Sequence, residues 1–176
     1  MARILALRVV DRIKEAGNTQ KVLSRHSSVI KARLGFHELN TDVCSREGYI
    51  LLYLKNDERA AQAFMNDLDK IYGIEIKHMQ LDDNEAGKPG AIAEGASIAV
   101  AGLVVSNRSE VVLEVQNTLT SYGCTIRTRL GINEEDKGDD RGIILLELVG
   151  EISEMNRLIQ RLGGIDNVAT GVISFD

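Results

Sequence analysis

The chain of 176 residues contains an internal repeat, and this repeat restricts its fold more than any other feature. Residues 31–38 read KARLGFHE and residues 127–134 read RTRLGINE, so one motif recurs after 96 positions. The same offset aligns VVDR (9–12) with VSNR (105–108). After a two-residue deletion, GYILLYL (48–54) aligns with GIILLEL (142–148). A match that extends through about 80 residues of each copy predicts two copies of one structural unit.

The segment between the two copies has the composition of a linker. Residues 82–96 read DDNEAGKPGAIAEGA and contain Pro89, the only proline of the chain, among small and charged residues. Such a composition favours a connection without regular secondary structure. We therefore predict a first domain over 1–81, a linker over 82–96 and a second domain over 97–176.

The hydrophobic pattern of each copy predicts the order β-α-β-β-α-β. In the first copy, strands are expected near 3–10, 28–35, 49–55 and 73–81, with one helix ending near residue 26 and another between 60 and 71. This order is that of the α+β ferredoxin-like unit, an antiparallel sheet with helices on one side. The helix-free side requires a cover, which predicts an intrachain pseudo-dimer of the two copies and a homo-oligomer.

Composition and charge exclude several classes of partner. The net charge of −5 is unfavourable for a nucleic-acid-binding surface, which usually carries a dense basic patch. The longest apolar runs are far too short to span a membrane, and no cleavable signal sequence is recognised at the N-terminus, so a cytoplasmic location is expected. The two cysteines, Cys44 and Cys124, form neither a disulfide framework nor a Cys-x-x-Cys metal pair.

These motifs together resemble a known family. The strands ending in VVDR and VSNR, the strands ending in Arg-Leu-Gly, and the segments GIILLELVG and IDNVATGVISF are similar to those of the iron-only hydrogenase system regulators. These are small ACT-like proteins, and the C-terminal half of nickel-responsive repressors shares their fold. The resemblance implies that each copy is an ACT-like module, a class that binds a small ligand, often an amino acid, at domain interfaces. This chain differs from the family in being a fused tandem of two units.

The two arginines of the repeated motif are candidate ligand-binding residues. Strict alternation along the strand places Arg33 and Arg129 on the side that points away from the helices. Two guanidinium groups can bind a carboxylate or phosphate in bidentate fashion. The alternative is a solvated or interfacial salt bridge with acids such as Glu38 and Glu134.

A second set of candidates begins the first helix of each copy. Asp11 and Asn107 are expected to act as N-caps, and Arg12 and Arg108 follow in the first turn. The resemblance implies that this end of the helix lines the ligand pocket, where free N–H groups favour an anion. The alternative is an exposed arginine that reaches a nearby acid. The candidate ligand-binding residues are Asp11, Arg12, Arg33, Gly35, Asn107, Arg108, Arg129 and Gly131.

The side chains of His37, Cys44 and Cys124 are potential metal ligands, but they do not form a complete site. His37 and Cys44 lie in the loop between the second and third strands, where the resemblance to nickel-responsive repressors implies metal ligands. The second copy has Asn133 in place of the histidine and no cysteine in its loop. Cys124, at the start of a strand, is expected to be buried and to serve packing. We therefore assign no metal ligands and no cofactor.

The sequence thus favours a regulatory module without catalysis of its own. The expected partner is a small anionic or amino-acid-like ligand, or another protein. The three histidines, His26, His37 and His78, all lie in the first copy, and no catalytic triad or phosphate-binding loop repeats between the copies. A metal-responsive regulator that uses the loop of His37 and Cys44 is the first alternative. An enzyme built on the ferredoxin-like fold is the second.

Overall fold

The structure is a computed structural model that describes residues 1–37, 45–82, 90–134 and 140–176. It divides into two compact units, one formed by Ala2–His78 and the other by Met79–Asp176 together with Met1. Residues 83–89 of the predicted linker lie outside the described residues, so the limits of that linker stay a prediction.

Both units have the predicted order of elements. The first consists of strand β1 (Ala2–Val9), helix α1 (Arg12–Arg25), strands β2 (Ile30–Phe36) and β3 (Gly48–Leu54), helix α2 (Glu58–Leu68) and strand β4 (Ile74–Leu81), of which residues 79–81 fall in the other compact unit. The second consists of β5 (Ile98–Val105), α3 (Arg108–Ser121), β6 (Ile126–Glu134), β7 (Arg141–Leu148), α4 (Ile152–Gly163) and β8 (Val168–Phe175). A short 3₁₀ turn precedes β2 and another precedes β6.

The sheet topology confirms the ferredoxin-like fold. The strand order is β2-β3-β1-β4 in the first sheet and β6-β7-β5-β8 in the second. The pairs β1–β3 and β2–β3 are antiparallel, as are β5–β7, β5–β8 and β6–β7. The central strands β3 and β5 are buried along their whole length, because apolar residues occupy both faces. The edge strands β2 and β6 alternate between partly buried and exposed residues.

Each unit has its own core between the sheet and its two helices. In the first unit this core joins Leu5, Leu7, Ile50 and Leu52 to Phe64 of α2. The corresponding core of the second unit contains Ala101, Leu103, Ile144, Leu146, Leu158 and Leu162. Ile92, from the segment before β5, also packs into the second core, and its N–H donates to Asn156 Oδ1 over 2.9 Å. Among the described residues, no helix is both long and apolar enough to cross a membrane.

Candidate functional site

The two motif arginines project from the helix-bearing face of their sheets. Arg33 lies opposite Leu52 in the β2–β3 register, and Leu52 belongs to the core beneath the helices. Arg129 lies opposite Leu146, which has the same place in the second core. The prediction that these arginines point away from the helices is therefore wrong.

A β-bulge at the start of each edge strand accounts for this reversal. The register shifts between Ile30 and Ala32 in β2, and between Ile126 and Thr128 in β6. A bulge inserts one residue into a strand and so exchanges the faces of all residues that follow it. The bulged position carries a base in both copies, Lys31 and Arg127. Simple alternation fails from that residue onward.

The motif arginines are held by uncharged acceptors on the first helix of each unit. Arg33 Nη1 donates to Gln20 Oε1 over 2.9 Å, and Arg129 Nη1 donates to Gln116 Oε1 over 2.9 Å. Neither arginine has a carboxylate of a described residue within salt-bridge distance, and Glu134 pairs with Arg141 instead. Glu38, the other predicted partner, lies outside the described residues. The positive charge of each guanidinium therefore has no countercharge among the residues described.

The arginines that begin α1 and α3 are held in a similar way. Arg12 Nε donates to the backbone carbonyl of Ser45 over 2.8 Å, and Arg108 Nη1 donates to Asn133 Oδ1 over 2.8 Å. Both acceptors are again uncharged. Each unit therefore has two arginines held by uncharged acceptors, one from the first turn of a helix and one from the edge strand.

A glycine makes room for each of the helix arginines. A Cβ atom on Gly48 would lie 3.2 Å from Cδ of Arg12, and one on Gly142 would lie 3.1 Å from Cδ of Arg108. Both distances are shorter than ordinary van der Waals contact. The stem of each arginine thus lies directly over the backbone of a glycine at the beginning of the third strand.

The two helix N-termini are capped differently. Asp11 is the N-cap of α1, as predicted, and its carboxylate accepts from the backbone N–H of Lys14 over 3.2 Å. This backbone hydrogen bond, followed by the nearby Arg46 guanidinium, lowers the pKa of Asp11. Arg46 Nη2 itself donates to Asp11 Oδ2 over 2.9 Å. The first helix therefore has a neutralised cap.

Asn107 does not cap α3 with its side chain, so that part of the prediction is wrong. Its backbone is left-handed, with φ 49° and ψ 49°, whereas an N-cap residue is normally extended. Asp140 supplies the cap instead, because its Oδ2 accepts from the backbone N–H of Ser109 over 2.6 Å. This hydrogen bond, with a smaller contribution from the Arg108 charge, lowers the pKa of Asp140.

These residues line one cavity in each unit, and the two cavities correspond position by position. Every lining residue of the first cavity has its counterpart in the second at the offset of the repeat. Identical lining residues include Val9, Arg12, Gln20, Arg33, Gly35 and Gly48 in the first cavity, and Val105, Arg108, Gln116, Arg129, Gly131 and Gly142 in the second. The structure thus brings together six of the eight predicted residues, while Asp11 and Asn107 precede the helices and do not line the cavities.

Several residues that complete the cavities were not predicted from the sequence. Gln20 and Gln116 orient the strand arginines, and Gly48 and Gly142 accommodate the helix arginines. Identity between the two copies is the signal by which these four positions could have been found. No comparable signal marked Asp140, because the first copy has Arg46 at the matching position.

The cysteines and histidines give no metal site in the part of the chain that the structure describes. No group of three or more His, Cys, Asp or Glu residues there could hold a metal ion. His37 lines the first cavity, and Cys44 lies outside the described residues, so the alternative of a metal site that uses both stays untested. Cys124 is exposed, which contradicts the prediction that it is buried.

Comparison with known proteins identifies no family. No family model and no curated protein matches the chain. An uncharacterized protein from Thermotoga maritima is 27% identical over 44% of this chain and 92% of its own, with a TM-score of 0.39. The small subunit of acetolactate synthase from Thermotoga maritima is 11% identical over 99% of this chain and 96% of its own, with a TM-score of 0.37.

A third similar structure is that of an enzyme. Chlorite dismutase from Candidatus Nitrospira defluvii is 10% identical over 99% of this chain and 91% of its own, with a TM-score of 0.38. At these TM-scores the similarities do not assign a function to this chain.

Proposed function

We propose that this protein is a non-catalytic regulatory module that binds the anionic group of a small metabolite in each of its two cavities. One observation carries the proposal. Arg12 and Arg33 in the first unit, and Arg108 and Arg129 in the second, line equivalent cavities in which each guanidinium is oriented by an uncharged oxygen.

We expect these arginines to bind an anion because their acceptors do not neutralise their positive charges. A guanidinium that is oriented by neutral acceptors keeps its full positive charge, and its planar array of donors matches a carboxylate or phosphate. Charge-assisted hydrogen bonds of this kind are about twice as strong as those between neutral groups. Arg12 also lies in the first turn of α1, where a cation opposes the helix dipole until an anion is bound. A ligand anion would remove this unfavourable interaction.

The character of the cavity lining supports binding rather than catalysis. The described lining residues are arginines, glycines, glutamines and apolar residues, together with Thr19, His37 and Tyr49 in the first cavity. The second cavity has Asn133 at the position that matches His37. Among the described lining residues, a histidine that could act as a general base is therefore present in the first cavity and absent from the second.

The wider setting of the module belongs to the same proposal. The resemblance of the repeated motifs to those of the iron-only hydrogenase system regulators supports a cytoplasmic regulatory role in which ligand binding is passed to a protein partner. Pairing of the two units as an intrachain pseudo-dimer, and of whole chains as a homo-oligomer, would supply the surface through which a signal travels.

A thermal-shift titration with succinate and with inorganic phosphate tests the binding proposal. We expect at least one anion to raise the midpoint of unfolding, since a ligand that binds only the folded state stabilises it. In the double variant Arg33→Ala/Arg129→Ala this increase should be lost. Arg157→Ala/Arg161→Ala removes two arginines from α4 instead and is the matched control.

The changes in unfolding midpoint are compared between the wild type, the cavity variant and the control variant. Loss of the increase in the cavity variant alone supports the proposal. An equal increase in all three proteins would show that the anions act elsewhere, and no increase in the wild type would contradict binding.

A further inference from the structure

We infer that the two cavities have diverged, so that the first binds a dianionic metabolite of dicarboxylate size and the second admits only a small monoanion. This inference rests on the proposed function and concerns the ligand class of the same sites. It is drawn from differences in volume, lining and charge between cavities that otherwise correspond residue by residue.

The volumes differ by more than a factor of two. The first cavity encloses about 450 Å³ and the second about 200 Å³. Pockets for metabolite-sized ligands usually enclose roughly 300–1,000 Å³. The first cavity is therefore large enough for a metabolite, and the second falls below that range.

A change on the first helix contributes to this difference in volume. Ala16 lines the first cavity where Val112 lines the second, so the second cavity loses the volume of two additional methyl groups. Thr19 and Val115, one turn further along each helix, have similar size and change the volume little. The position of Ala16 thus distinguishes the two cavities sterically.

The charges near the helix N-terminus differ as well. In the first unit Asp11 is paired with Arg46 at 2.9 Å, so no carboxylate within the described ranges compensates the charges of Arg12 and Arg33. Position 46 corresponds to Asp140 in the second unit, where the carboxylate accepts from Ser109 N–H and lies near Arg108. Counted over the described residues alone, the charges of Arg12, Arg33, Asp11 and Arg46 sum to +2 around the first cavity, and those of Arg108, Arg129 and Asp140 sum to +1 around the second. A dianion complements the first, and a monoanion complements the second.

Two-dimensional NMR titrations with succinate, inorganic phosphate and acetate test this inference at pH 8. The backbone amides of Gly35 and Gly48 report on the first cavity, and those of Gly131 and Gly142 report on the second. At the first cavity we expect succinate to bind about tenfold more tightly than acetate, because a second charge-assisted contact adds to the first. At the second cavity we expect acetate to bind and succinate to bind more weakly than acetate. Comparing succinate with phosphate shows whether the two charges are best placed on separate groups or on one.

Two variants examine the stated causes separately. Ala16→Val should reduce the affinity of the first cavity for succinate by about tenfold, while Gly17→Ala on the same helix, outside the cavity, should leave it unchanged. Asp140→Asn keeps an N-cap but removes the charge, so it should raise the affinity of the second cavity for acetate.

The outcomes separate this inference from the proposed function. If both pairs of glycine amides respond to succinate with equal affinity, or if Ala16→Val has no effect, the divergence is refuted and anion binding stands. If no amide in either pair responds to any of the three anions, both the divergence and the proposed function are refuted. Selective response of the first pair to the dianions, reduced by Ala16→Val, supports both.

Discussion

Arg33 donates to the side-chain oxygen of Gln20 over 2.9 Å, and this bond joins the edge strand of the first unit to its first helix. The same bond has the same length between the matching residues of the second unit. The uncharged glutamine oxygen holds the orientation of the guanidinium and does not neutralise its charge, which suits a site that binds an anion.

Replacing this acceptor by an acid should weaken anion binding without disturbing the fold. In Gln20→Glu/Gln116→Glu each strand arginine gains a carboxylate partner, which competes directly with a ligand anion. We expect the affinity for succinate, measured by isothermal titration calorimetry, to fall by about tenfold or more. Gln62→Glu adds one negative charge on the exposed face of α2, outside the cavities, and should leave the affinity unchanged. Undiminished binding in the double variant would argue against the strand arginines as ligands.

The glycines under the helix arginines offer a test that removes no charge. An added Cβ in Gly48→Ala would lie 3.2 Å from Cδ of Arg12, and the flexible arginine must move away. We expect succinate affinity at the first cavity to fall by about tenfold, with a change in stability of less than about 1 kcal/mol. Gly123→Ala, where an added Cβ meets nothing within 4 Å, is the control. Calorimetry and urea unfolding give the two quantities, and unchanged affinity would show that the position of Arg12 is unimportant.

Replacing the basic residue at the bulge should reduce the free energy of unfolding more in the second copy than in the first. Glu147 is 1% exposed and accepts from Thr128 Oγ1 over 2.6 Å and from Arg127 Nη1 over 3.1 Å. Arg127→Ala leaves this buried carboxylate without its cation and should reduce the free energy of unfolding by about 1–3 kcal/mol. The matching residue Lys31 lies over the ring of Tyr53 at 5.1 Å, so Lys31→Ala should reduce it by less than about 1 kcal/mol. Urea unfolding of the two variants compares them, and a larger loss in Lys31→Ala would contradict this prediction.

Asp67 gives the first unit a defined dependence on pH. Its carboxylate accepts from Lys70 Nζ over 2.7 Å and lies 2.9 Å from His26 Nε2, and these hydrogen bonds hold its pKa well below its ordinary value of 3.8. Because the folded state favours the ionised form, its stabilising effect is complete above that ordinary pKa and declines as the pH falls below it. The difference in unfolding free energy between wild type and Asp67→Asn should therefore be constant near neutral pH and shrink in acid.

The control for this effect lies on the same segment. Asp69→Asn changes an exposed aspartate two residues away, and its difference from the wild type should be smaller at neutral pH. A difference for Asp67→Asn that grows on acidification would have the wrong sign for a lowered pKa.

The fold and most of the site could be predicted from the sequence because the two copies of the repeat can be aligned with each other. Two aligned copies showed which apolar runs are central strands, and the motif marked Arg33 and Arg129 together with the glycines that follow them. The arginines at 12 and 108 were identified from their place in the first turn of each first helix, the end that the resemblance to ACT-like modules implies lines a ligand pocket. All of these six residues line the cavities.

The orientation of the strand arginines could not be predicted, since alternation alone does not reveal a bulge. One inserted residue at Lys31 or Arg127 exchanges the faces of the strand, and it turns both motif arginines toward the helices. The cap of α3 was also not predicted, because it depends on a local backbone conformation that the sequence pattern does not show. A left-handed backbone at Asn107 leaves the cap to Asp140, which is 33 positions away in the sequence.

The most direct measurement is a crystal soaked in selenate, a dianion that anomalous scattering locates without reference to the protein model. We predict an anomalous peak in the first cavity, with oxygen atoms about 2.7–3.1 Å from the guanidinium nitrogens of Arg12 and Arg33. A weaker peak or none is expected beside Arg108 and Arg129, where Asp140 reduces the local charge. Selenate bound only outside both cavities, with the four arginines unoccupied, would contradict the central claim.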